Sequence, residues 1–213
     1  MPFLFLTKNP ICAKFSVRQL YHCRGLKSIN VCQNDTLSSK LYHGKIYTME
    51  HTKTFVCVCI TDALFRLMRS KSLQDISITE LTQVAGVGRA SFYRNFETKI
   101  DVLDRKLDLL LLEWGKDFEA RNDPSYFAES IFRHFYKHRE IYLLIYRQGL
   151  SNHIYSSIRR ACKIDSSSNS IERYIKSMVA GTTFGMIDEW MRGGMQESPD
   201  DIIRLAESLT PNI

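Results

Sequence analysis

A chain of 213 residues with 44% hydrophobic and 24% charged residues has the makeup of a globular protein able to bury a core, and no stretch approaches the roughly 18 apolar residues a membrane span requires. Its net charge of +6 does not by itself point to nucleic acid. Residues 1–48 carry Lys8, Lys14, Arg18, Arg24, Lys27, Lys40 and Lys45 against Asp35 alone, so the excess sits there and the remainder is balanced.

That leader shows neither helical nor strand periodicity. Met49 leads straight into the first periodic segment, so the reading places the natural start of the protein at Met49, ahead of a targeting peptide or a DNA-tracking arm. The cysteines are split between leader and remainder with no secretory signal before them. Cys57 and Cys59 stand about 200° apart on a helix, which disfavours a bridge or chelate. Reduced thiols in a cytoplasmic protein, with no metal, is the expectation.

Phe55, Val58, Cys59, Ala63 with Leu64, Leu67 and Met68 recur at helical spacing and predict an amphipathic helix over about 52–68. Ser77-Ile78-Thr79-Glu80 then reads as a capping box, in which the Ser77 hydroxyl accepts from the Glu80 amide and the Glu80 carboxylate reaches back. Ile78, Leu81 and Ala85 give that helix its buried face. Gly86-Val87-Gly88 breaks it, with Gly86 able to adopt the left-handed conformation of a tight turn.

A second short helix over 89–96 buries Phe92 and Phe96 and leaves Arg89, Ser91, Arg94 and Asn95 outward. Two short helices joined by a glycine turn, the second polar outside and apolar inside, form a helix-turn-helix with a recognition helix. Its N-terminus, with Arg89, Arg94 and Lys99, suits phosphate. The Tyr93 hydroxyl suits a phosphate oxygen, and Ser77, Thr79 and Gly88 complete the expected DNA-facing set. Arg89, Ala90, Ser91 and Asn95 are the candidates for base edges, Ala90 against a thymine methyl.

The run Leu81-Thr82-Gln83-Val84-Ala85-Gly86-Val87-Gly88-Arg89-Ala90-Ser91-Phe92-Tyr93-Arg94-Asn95-Phe96-Glu97-Thr98-Lys99 resembles the signature of the tetracycline-repressor-like (TetR/AcrR) regulators, and the likeness covers 54–105. A weaker one lies in Val179-Ala180-Gly181-Thr182-Thr183-Phe184-Gly185-Met186-Ile187-Asp188-Glu189-Trp190-Met191 with Gly194-Met195 and Ser198-Pro199, which is similar to the dimerising end of one bacterial branch. The resemblance implies that Thr98 and Lys99 touch the DNA backbone and that the helix they open links a ligand pocket to the DNA head. Gly88 stands where the family usually has Ser, and Thr82 where it usually has Ala.

Leu103, Leu107, Leu110 and Trp114 continue that helix from about Thr98, and Asn122-Asp123-Pro124 closes it. Shorter helices follow over 126–137, 140–147 and 151–163, then a polar loop at 165–169. A long helix over 170–192 stops at Gly193-Gly194, and Ser198-Pro199-Asp200-Asp201 opens a last one to about Leu209.

The expected fold is thus all-α, about nine helices: leader 1–48, helix-turn-helix domain 49–98, ligand-binding and dimerisation domain 99–213. Trp114, Phe118, Phe132, Phe135, Tyr136, Tyr142 and Tyr146 are chiefly core by their spacing, and some of them line whatever pocket binds an effector. Ile171, Tyr174, Ile175, Met178, Val179, Phe184, Ile187 and Met191 spread apolar surface too widely for one core. Gly181, Thr182 and Gly185 permit close approach there, while Ile202, Ile203, Ala206 and Leu209 form a matching stripe, so a homodimer through 170–192 and 199–209 is expected.

No phosphate loop, nucleophile elbow or paired catalytic carboxylates occur, and His134 and His138, though four apart, lack a carboxylate in register. The function expected is sequence-specific binding of double-stranded operator DNA by a repressor that an unidentified small molecule releases. No enzyme activity, cofactor or membrane partner is expected.

Overall fold

The computed structural model describes residues 46–164 and 169–208. Among them are nine α-helices, one 3-10 turn and no strand. They divide into two compact units, with the division between Leu103 and Asp104. The leader assigned to 1–48 lies almost wholly outside the described residues.

In the first unit α1 runs Ile46–Met68, α2 Ile78–Ala85 and α3 Arg89–Tyr93, and α4 (Lys99–Arg121) begins there. Two expectations for α1 need correction. The helix starts at Ile46, ahead of Met49, so a chain beginning at Met49 would lose its first turn. Its inward face is Cys57, Ile60, Ala63, Leu64 and Met68, whereas Phe55 and Val58 are 66% and 51% exposed. Apolar residues occupy both sides of this helix, so spacing alone left the choice of face open. Packing of α1 against both α2 and α3 decided it.

Leu73, Ile76, Leu81, Phe92, Phe96, Val102 and Leu103 complete a core around α1. At α4 a reciprocal cap sets the start: the Thr98 amide donates to the Asp101 carboxylate at 2.8 Å, and the Asp101 amide donates to Thr98 Oγ1 at 3.2 Å.

In the second unit α4 continues, followed by the turn Pro124–Tyr126, α5 (Phe127–Lys137), α6 (Arg139–Arg147), α7 (Ser151–Ala161), α8 (Ser170–Arg192) and α9 (Pro199–Ser208). The junctions are marked by residues in the left-handed region, Asn122 before the turn, Gly149 between α6 and α7 and Gly194 after α8. Helix α8 packs along α7 and α6, and α9 lies on α5. None of the helices with described residues is long and apolar enough to cross a membrane.

Candidate nucleic-acid interface

Ser77 caps α2 in extended conformation and accepts the Glu80 amide at 3.0 Å. The Glu80 carboxylate, expected to reach back, turns instead to the Lys71 ammonium. At the other end Gly86 has φ 66°, and its amide and that of Val87 return to the carbonyls of Gln83 and Thr82. That left-handed residue redirects the chain within three residues, as a helix-turn-helix requires. Thr82, where an alanine was the usual residue, is buried but satisfied, since its hydroxyl donates to the carbonyls of Ile78 and Thr79.

Helix α3 is shorter than the expected 89–96, ending at Tyr93. The last helical bond of this stretch is from the Phe96 amide to the Phe92 carbonyl, and the amides of Glu97 and Thr98 beyond it are taken by Asp101 at the start of α4. Phe92 is fully buried and Phe96 nearly so. On the opposite side Arg89, Ala90, Tyr93 and Arg94 are exposed, and Gly88 caps the helix without a side chain. The Tyr93 ring stands edge-on to Phe92 at 5.3 Å, leaving it 53% exposed. Arg94 reaches along the surface to Ser91 Oγ at 2.8 Å. Ser77 and Thr79 are exposed at the start of α2.

Two residues expected to meet DNA point elsewhere. Asn95 is half-buried: its amide nitrogen donates to the Ser91 carbonyl at 2.6 Å and its oxygen accepts from Cys57 Sγ at 3.5 Å. Its amide is occupied in fastening α3 to α1. Lys99 is also half-buried, and its ammonium donates to the carbonyls of Leu73 at 2.6 Å, Gln74 at 3.2 Å and Ile76. Neither the Cys57 contact of Asn95 nor the carbonyl contacts of Lys99 could be read from spacing, because those partners lie 38 and 23 to 26 residues away in sequence.

In the second unit the aromatic residues assigned to a pocket pack mainly on one another. Trp114 stacks on Phe118 at 5.6 Å and donates its indole N–H to Ser130. Phe132 and Tyr136 flank Trp190, and Phe135 lies against Tyr142 at 4.3 Å. Buried Tyr142 bonds His134 Nε2 at 3.0 Å. Burial, with the nearby His138 and Lys137 charges, holds the His134 pKa down at about 3. Tyr146 donates to Asp188, and burial with that bond raises its pKa. Burial pushes Asp188 upward, but the hydrogen bonds from Arg192 and Tyr146 outweigh it and leave the carboxyl below its usual range. A narrow apolar cleft is lined by Phe127, Ala128, Ile131, Phe132, Thr183 and Met186. Of the seven expected pocket residues Phe132 alone lines it, and spacing gave no sign of Phe127.

Of the α8 residues expected at a dimer surface, Ile171, Tyr174, Met178 and Gly185 are exposed. Val179, Ile187 and Met191 turn inward. On α9 the expected outward stripe is corrected: Ile203 and Ala206 are buried within the subunit and Leu205 is 52% exposed. The packing of α9 on α5 accounts for this, since it consumes the more apolar side of the helix.

Residues 122–212 match the family TetR_C_8, described as the C-terminal region of transcriptional regulators. By structure the chain is similar to the crystal structure of Lin0861 from Listeria innocua, with a TM-score of 0.60 and 16% identity over 80% of this chain and 94% of that one. No curated protein matches it by sequence. The structural likeness speaks for the fold, and the sequence match speaks for the C-terminal half in particular. The described residues thus form nine α-helices in a fold like that of the Listeria protein, and residues 122–212 are similar to the C-terminal region of transcriptional regulators of the TetR_C_8 family.

Proposed function

We propose that this regulator binds operator DNA as a homodimer and represses transcription until a small-molecule effector releases it. The observation that carries the DNA reading is the two-sided character of α3. Phe92 is sealed in the core while Arg89, Ala90, Tyr93 and Arg94 stand exposed along the other side. A helix so divided can lie in the major groove with its guanidinium groups at base edges and phosphates. Arg89 and Ala90 are the readers of sequence in this proposal, and Tyr93 and Arg94 hold the backbone. Asn95 is left out, because its amide is engaged within the head.

The exposed line Ile171, Tyr174, Met178 and Gly185 on α8, with Leu205 on α9, supplies the surface for the second copy. A twofold contact presents one patch to itself and sets two heads on two half-sites about one helical turn apart. The protein would act in the cytoplasm, with Cys57, Cys59 and Cys162 in no disulfide. Repression and release by an effector rest on the resemblance to the family rather than on a pocket.

The decisive experiment is to incubate the purified full chain with fragmented genomic DNA from its source and sequence what it retains at about 0.15 M salt. An enriched inverted repeat with half-sites about 10 base pairs apart is the expected result. Retention without any enriched sequence would count against an operator-binding regulator.

A further inference from the structure

An ammonium group has three N–H donors, and in Lys99 three carbonyl oxygens receive them: Leu73, Gln74 and Ile76. Those carbonyls belong to the loop between α1 and α2, which ends on the Ser77 cap. Leu73 and Ile76 bury their side chains in the head, so the loop is fixed from below by apolar contact and closed by the lysine. A phosphate ligand role for Lys99 would require it to surrender at least one of these carbonyls.

We propose that Lys99 is a positioning residue: it clamps the α1–α2 loop to the first turn of α4, and thereby sets the start of the helix-turn-helix, without itself contacting DNA. Its effect on binding rests on the DNA-binding function proposed above, while the clamp itself does not. A point charge suits three oxygens converging on one atom, which a planar guanidinium fork cannot match. The Lys99→Met variant keeps the stem and removes all three donors.

The test uses the full chain in two arms. Without DNA, hydrogen exchange is followed at the amides of Asp75, Glu80 and Leu81, which are bonded to Ser72 or Ser77. In Lys99→Met these should exchange at least tenfold faster, at a temperature where circular dichroism shows unchanged helicity. Unchanged exchange overturns the clamp.

With retained DNA, the folded variant should bind at least tenfold more weakly, while the slope of log Kd against log salt stays as in the wild type. A slope reduced by about one unit would make Lys99 a phosphate contact and overturn the proposal. Unchanged affinity of the folded variant would reduce the lysine to a purely structural role and overturn it as well. If the wild type binds no DNA, the operator reading fails and the exchange arm still judges the clamp.

Should the variant not fold, reductive methylation of the wild type decides. Lys99 should react at least tenfold more slowly than the exposed Lys137. Equal reactivity would overturn the clamp.

Discussion

Arg89 is exposed at the head of α3 and has the chemistry to pair bidentately with a guanine edge. Arg89→Ala should cost about 1–3 kcal/mol on the operator and little on random DNA, as measured by paired titrations at one salt concentration. Equal losses on both would remove it as a reader of sequence. A second residue gives a pH signature.

His134 is buried, with its folded pKa depressed from 6.5 to about 3, so the unfolded chain binds a proton that the folded chain refuses. Its contribution is therefore fully present above about pH 6.5 and is lost as pH falls from there toward 3, at up to about 1.4 kcal/mol per pH unit. Denaturant titrations between pH 6.5 and 5 should show this slope in the wild type and a shallower one in His134→Gln, whose amide can still bond Tyr142. Parallel curves would show that His134 is not the group responsible.

At this scale the sequence revealed what was local. The Ser77 cap and the Gly86 turn involve neighbours three or four residues away and could be read directly. The contact of Asn95 with Cys57 and those of Lys99 with the α1–α2 loop could not, because these groups come together only on folding.

Among the elements, the extents of α5, α6, α8 and α9 were legible to within about a residue, because polar loops, glycines and a proline bound them. Helix α3 was overextended by three residues, since nothing in its own composition reveals that the chain loosens into a turn at Arg94 and Asn95 before Asp101 takes the Glu97 and Thr98 amides. The seam of α4 and α7 is a polar feature that no periodicity announces. Asp108 accepts from Ser157 at 2.6 Å and from both Nε and Nη2 of Arg160, and Asp104 accepts from His153 at 2.9 Å. Ser157 is buried, whereas Arg160 remains largely exposed. Asp108→Ala should thus cost about 1–3 kcal/mol, because it strips a buried hydroxyl of its acceptor, while Arg160→Met should cost about 0–1 kcal/mol. Chemical denaturation of the two variants checks the order. A larger loss from Arg160→Met would show that the ion pair, not the serine, secures the seam.

For the molecule as a whole, the all-helical class followed from helical periodicity sustained after Thr54, but the sequence did not say which apolar stripe faces inward. Helices α8 and α9 each carry two such stripes, and the neighbour that covers one of them is fixed only by the fold. This difference yields contrasting expectations for the proposed dimer. Tyr174→Asp, on the exposed line of α8, should give a folded monomer by light scattering, with operator affinity lost because two half-sites are no longer held together. Ile203→Asp, which buries a charge inside the subunit, should instead lower the melting temperature sharply. A Tyr174→Asp protein that remains dimeric would move the interface elsewhere. The seat of α9 on α5, where Asp200 also pairs with Arg133 at 2.7 Å, has a consequence for protein turnover in the cell. A nonsense codon between Lys137 and Pro199 would remove α9 and leave the apolar side of α5 bare. Pulse-chase labelling should find that product cleared by proteases within minutes while the full-length chain persists, making such a truncation a recessive null rather than a dominant-negative allele.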